Sequence, residues 1–105
     1  MTLANHRASR YTFVARIELT DVRSETCITE RTSDLSLFGC RVDTQKPFPQ
    51  GTKVKIRIAH RSANFGALGK VAYVRPNAGM GIVFTSIDPN DQLILEKWIA
   101  ELRDQ

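Results

Sequence analysis

No stretch of the sequence comes near the roughly 18 consecutive apolar residues that a membrane-spanning helix needs, and no such span is expected. The first residues lack the charged-then-apolar layout of a secretory signal. Cysteine is scarce, with only Cys27 and Cys40, and so is histidine, with only His6 and His60. Four residues at these spacings make no zinc pattern. Both cysteines read as small core or strand residues kept reduced, and a cytoplasmic setting is expected. Catalytic constellations are missing too. No Gly-x-Ser-x-Gly elbow, phosphate-cradling glycine loop or acid–base carboxylate pair stands out, so neither an enzyme nor a bound cofactor is expected. Aromatic residues make up 8% of the chain, with a single tryptophan. Phe13, Tyr73 and Phe84 are assigned to the apolar faces of their strands, which leaves no exposed stacking platform. Nucleic-acid binding is therefore not expected.

What is present suits one small domain. The chain has 105 residues, 42% of them hydrophobic and 25% charged. That is enough for one modest core. The net charge of +4 favours an anionic partner. Residues 1–10 show no periodicity and read as a flexible basic arm carrying His6, Arg7 and Arg10 without an acid.

From Tyr11 the hydrophobic period becomes two. Phe13, Ala15, Ile17 and Leu19 alternate with polar neighbours, Val14 excepted, and predict a half-buried strand. A polar turn over Asp21–Glu25 leads to a second strand over Thr26–Thr32, then to a loop over Ser33–Gly39, and Cys40-Arg41-Val42 opens a third strand. The breaker Pro47-Phe48-Pro49-Gln50-Gly51 precedes the clearest alternation, Val54, Ile56 and Ile58 against Lys53, Lys55 and Arg57. A polar turn over His60–Asn64, a long strand over Phe65–Val74 with bend sites at Gly66 and Gly69, a turn at Arg75–Gly79 and a strand from Met80 complete the β region. The period then changes to 3.6. Asp88 suits the N-cap and Pro89 the first helical position, Asp91 adds negative charge to the first turn, and Leu95, Trp98, Ile99 and Leu102 form one apolar stripe. Six strands and one helix, over about 88–103, predict a mostly β fold. It is a six-stranded antiparallel β-barrel with the C-terminal α-helix packed on it. The domain is assigned to residues 11–105.

The loop Asp34-Leu35-Ser36-Leu37-Phe38-Gly39 carries the chemistry. A carboxylate accepts the donor hydrogens of a guanine edge, while upstream guanidinium groups clamp phosphates and guanine O6/N7 with two prongs. Gly39 is expected at positive φ, and it lets the backbone approach a ligand. Asp34 and Ser36 also fit a simple turn that bonds its own backbone.

Asp34-x-Ser36-x-x-Gly39, the upstream basic pair, Gly69-Lys70-Val71-Ala72-Tyr73-Val74, Gly79-Met80-Gly81-Ile82-Val83-Phe84 and the closing helix together resemble a PilZ domain, from about His6 to Leu102. PilZ domains are bacterial receptors for cyclic di-GMP, built on a six-stranded barrel with a C-terminal helix. The resemblance implies that Asp34 and Ser36 bond a guanine edge and that Gly39 allows close approach. It also implies that Arg10 fills the second position of an Arg-x-x-x-Arg arm. His6 stands where the first arginine belongs, and Arg7 is its nearest substitute. The implied function is a cyclic di-GMP receptor or adaptor that orders its arm on binding and signals to an effector protein. The alternative is a protein-interaction module on the same barrel that does not bind the nucleotide.

Overall fold

The computed structural model describes residues 9–105. The chain runs through β1 (Tyr11–Thr12), β2 (Arg16–Asp21), β3 (Cys27–Leu35), β4 (Gly39–Asp43), β5 (Lys53–His60), β6 (Ala63–Arg75), β7 (Gly79–Ser86) and α1 (Pro89–Arg103). Antiparallel ladders run in the order β3-β2-β5-β6-β7-β4, and β4 pairs back onto β3, which closes a six-stranded barrel. The short β1 pairs with the far end of β3, Tyr11 opposite Leu35 and Thr12 opposite Asp34.

The expected first strand is thus one broken strand, β1 then β2. Thr32 explains the break. It is buried in β3, its hydroxyl donates to the Phe13 carbonyl at 2.6 Å, and its oxygen accepts the Ala15 N–H at 3.0 Å. A side chain thereby stitches the gap where the ladder stops. Val14 points outward there, while Phe13 and Ala15 are buried on either side.

The interior follows the alternation. Ile17 and Leu19 of β2, Val54, Ile56 and Ile58 of β5 and Phe65 and Val71 of β6 are buried together. Each such side chain contributes roughly 1.5–3 kcal/mol when fully removed from water. Lys53, Lys55 and Arg57 face solvent, as their strand period requires. The β5–β6 ladder runs on to His60 opposite Ala63, so the turn expected over five residues holds only Arg61 and Ser62. Both have positive φ, 49° and 67°. A two-residue hairpin of matching twist needs this geometry.

Helix α1 packs on β6 and β1 through Leu95, Trp98 and Ile99. Trp98 joins an aromatic group in which its ring lies 5.6 Å from Phe13, 5.4 Å from His60 and 6.2 Å from Phe65. Asp88 begins the helix without a side-chain cap, since its carboxylate accepts no backbone N–H there. Asp91 does more than complement the helix dipole. Its carboxylate accepts the Gly66 N–H at 2.9 Å and ties the first turn to β6.

Gly39 corrects the expectation of positive φ, because Gly51 is the glycine with that geometry, at 89°. Gly39 opens β4 opposite Val83, and a Cβ there would collide with the Ile82 carbonyl oxygen. Its identity is fixed by two backbones in contact. Gly81 answers a similar demand, since its added Cβ would run into the Tyr73 ring. The β6–β7 register shifts between Val71 and Tyr73. That irregularity turns Tyr73 to the outer surface, not to the apolar face assigned from periodicity.

Replacing Gly39 with Ala is expected to cost about 1–3 kcal/mol through forced separation of β4 from β7. Thermal denaturation followed by circular dichroism checks this, and an unchanged midpoint contradicts it. Burial, then the neighbouring Arg61 charge, lowers the His60 pKa below its usual value. The fold therefore favours neutral His60, and its contribution to stability is full above the unfolded value near 6.5 and is lost as pH falls through the folded value. His60→Phe is expected to show a smaller fall in midpoint between pH 7.5 and pH 5 than the parent chain; equal falls rule the effect out.

Candidate functional site

One irregularity in β3 creates the site. Thr32 pairs with Val42, yet Asp34 pairs with Arg41, so Ser33 is an extra residue in the β3–β4 ladder. Along a regular strand Thr32 and Asp34 would point the same way, into the barrel. The bulge at Ser33 reverses the alternation. Asp34 is turned to the outer surface beside Arg41, while Leu35 enters the core opposite Cys40. The loop expected over Ser33–Gly39 is accordingly shorter. Ser33, Asp34 and Leu35 belong to β3, and Gly39 belongs to β4.

Asp34 is only 7% exposed. A carboxylate so poorly hydrated must be paired. Its Oδ1 accepts the Arg41 backbone N–H at 3.1 Å, and its Oδ2 accepts the Arg41 Nε–H at 3.0 Å and an Nη2–H at 2.7 Å. The Arg10 guanidinium approaches the same Oδ2, with Nη1 at 3.8 Å, and stays half exposed. The Asp34 bond and charge in turn raise the Arg41 pKa further. This guanidinium is a permanent cation.

Beside this cluster lies an open cleft of about 500 Å³, whose walls include Arg10, Asp34, Arg41, Asp43 and Arg75. Three arginines and two aspartates line it, together with Tyr11, Thr12 and Gly79 among others. Such a surface offers charge-assisted hydrogen bonds to an anion and a carboxylate edge to a paired N–H donor. Arg75 also lies 6.0 Å from the centre of the Tyr73 ring.

The structure brings Arg10 and Asp34 to one cleft. Ser36 and Gly39 sit at the tip of the β3–β4 turn, outside the lining. The Ser36 N–H donates to the Gly39 carbonyl at 2.8 Å. Its Oγ accepts the N–H groups of Phe38 at 3.1 Å and Gly39 at 3.2 Å. Ser36 thus fixes the turn that closes the barrel. His6 and Arg7 lie outside the described residues. Periodicity missed Arg41 and Arg75. Arg41 was legible as an outward residue of β4, but its partnership with Asp34 needs the Ser33 bulge, which leaves no mark in a pattern of period two. Arg75 read as a turn residue before Pro76, and only the β6–β7 hairpin carries it to the cleft.

Among the described residues, no three His, Cys, Asp or Glu side chains gather as metal ligands, and no helix is long and apolar enough to cross a membrane. Cys27 and Cys40 are both unpaired. Burial, with the Asp34 charge adding to it, pushes the Cys40 thiol up to about 12. A thiol so held is an inert core group.

The family model for the PilZ domain matches residues 4–101. No curated protein matches the chain. Among solved structures, the PilZ domain of CeSA from a cellulose-synthesizing bacterium superposes with a TM-score of 0.74 at 17% identity, over 91% of this chain and 99% of that one. The PilZ domain of YcgR from Escherichia coli, solved with c-di-GMP, gives 0.76 at 15% identity over 95% and 92%. The Bacillus subtilis inhibitor of motility, MotI/DgrA, gives 0.76 at 14% identity, covering 94% of this chain but 51% of its own. At such identities the superpositions establish the shared fold, and the family model spans both the barrel and the Asp34–Gly39 motif. The chain belongs to the PilZ domain family.

Proposed function

We propose that this domain is a cytoplasmic receptor for cyclic di-GMP and not an enzyme. Residues 1–10 form an arm that closes over the cleft when the nucleotide binds. The observation that carries the reading is the meeting of Arg10 and Asp34, 3.8 Å apart, at a cleft flanked by two further arginines. The arm loses conformational freedom on closure and gains contacts to phosphate and guanine. That exchange alters the surface around β1 and β3, where an effector protein would sense it. Asp34 accepts from the guanine edge, and Arg10 holds phosphate or guanine O6/N7. Arg7 and His6 reach the phosphates from the arm. Ser36 and Gly39 act by holding the turn in shape. The YcgR domain solved with c-di-GMP supports the choice of ligand, as a relative of the same fold.

The presence of His6 four residues before Arg10, where the family carries arginine, favours a second reading. A neutral imidazole cannot supply the five donors of a guanidinium. On that reading the domain keeps the barrel as a protein-interaction surface and does not bind the nucleotide.

Calorimetric titration of the pure protein with cyclic di-GMP, with GTP and a short RNA as controls, separates the two. Binding is expected for the parent chain. Arg10→Ala and Asp34→Ala are each expected to weaken it by at least about tenfold. Unaltered titrations for both variants remove these residues from the site, and no heat for the parent chain favours the second reading. If His6 touches a phosphate, affinity rises as pH falls through about 6.5, because protonation adds a positive charge. His6→Arg is expected to bind more tightly and to lose this pH response; a flat response in the parent chain excludes His6.

A further inference from the structure

The Asp34 carboxylate is already in use. Its Oδ2 accepts two N–H groups from Arg41, and its Oδ1 accepts the Arg41 backbone N–H. A carboxylate has about two good acceptor positions on each oxygen. Oδ1 therefore keeps one position open and Oδ2 keeps none. A guanine edge offers N1–H and N2–H side by side and needs one position on each oxygen.

We propose that Arg41 is a latch on the nucleotide site, and that ligand capture exchanges its guanidinium for a guanine edge on Asp34. This inference rests on the reading of the cleft as a cyclic di-GMP site. Arg41 is suited to the exchange. Its side chain is 33% exposed. Releasing it sends its own cation to water, and the guanine edge that takes its place keeps the nearly buried Asp34 carboxylate paired. The Arg41 backbone N–H stays in the β4 ladder region and keeps its hold on Oδ1, so Asp34 remains aimed at the cleft when the side chain leaves. The open cleft that Arg41 lines gives the released side chain room. Arg41 pairs with Gly81, and the Tyr73 ring lies across Gly81 with nothing between. Arg75 already holds that ring, and the freed Arg41 guanidinium rests in the open cleft.

The latch sets specificity. A ligand with a single donor, or an anion alone, cannot replace two charge-assisted hydrogen bonds on one oxygen. A paired N–H edge can, because it satisfies both carboxylate oxygens at once. The latch also lowers apparent affinity, since the receptive arrangement, with Oδ2 free, is only a fraction of the free protein.

The test compares the parent chain with Arg41→Met, which keeps side-chain length and removes the donors. Cyclic di-GMP titration is expected to give a Kd about tenfold lower for Arg41→Met, with the same ratio for GTP, whose single guanine presents the same paired N–H edge and must free the same Oδ2. Equal or weaker binding by a folded Arg41→Met overturns the latch while the receptor reading stands. Binding by neither protein overturns both. Should Arg41→Met fail to fold, the Arg41 Nε–H resonance of the parent chain decides. It is expected to exchange slowly with water in the free protein and to lose that protection when cyclic di-GMP saturates the site. Protection that persists at saturation overturns the proposal.

Discussion

Closure of the barrel between β3 and β4 is the constraint on which the rest depends. Six strands form a ring only if the third and fourth pair with each other as well as with β2 and β7. A tight turn must join them, and Ser36 makes it by accepting two backbone N–H groups within the turn. The ring also requires β4 and β7 to approach at Gly39 more closely than any side chain permits. The bulge at Ser33 then lets β3 keep Thr32 and Leu35 inside on either side of the irregularity while sending one carboxylate out. The motif residues therefore play different parts in the fold. Ser36 and Gly39 make the corner, and Asp34 is what the corner presents.

That division explains why a nearly buried carboxylate is tolerated at the surface of a small domain. Desolvation of Asp34 is offset by Arg41, fixed by the same ladder that fixes Asp34 itself. The pair is not rigid on both sides. Its backbone bond belongs to the fold, and its guanidinium bonds belong to a side chain with access to water. An ion pair built this way preserves geometry and keeps one partner exchangeable.

Much of this was legible in the sequence. The alternation of Val54, Ile56 and Ile58, the period change after Asp88 and the stripe through Leu95, Trp98 and Ile99 reflect burial, which composition records directly. The six-stranded barrel with its closing helix was legible from them. The motif was legible only through resemblance, because a carboxylate, a hydroxyl and a glycine in a turn have simpler uses. What escaped was whatever depends on register. One extra residue at Ser33 decides which way Asp34 points, and a shift after Val71 decides which way Tyr73 points. Neither leaves a trace in hydrophobic period, because each affects only one or two residues. The pairing of Asp34 with Arg41 is likewise a fact about neighbouring strands, invisible along a single one. Gly39 shows the same limit: its spacing was right, but its reason was a neighbour from β7 and not its own torsion.

The aromatic group beneath the helix has a consequence of a different kind. Phe13, three residues beyond Arg10, touches the ring of Trp98, and Trp98 is the chain's single tryptophan. Rearrangement around Arg10 and Tyr11 thus has a path of one side chain to the indole, with His60 and Phe65 packed around it. The protein carries its own fluorophore where β1 leads into the barrel, and its emission gives an unlabelled, real-time view of that junction.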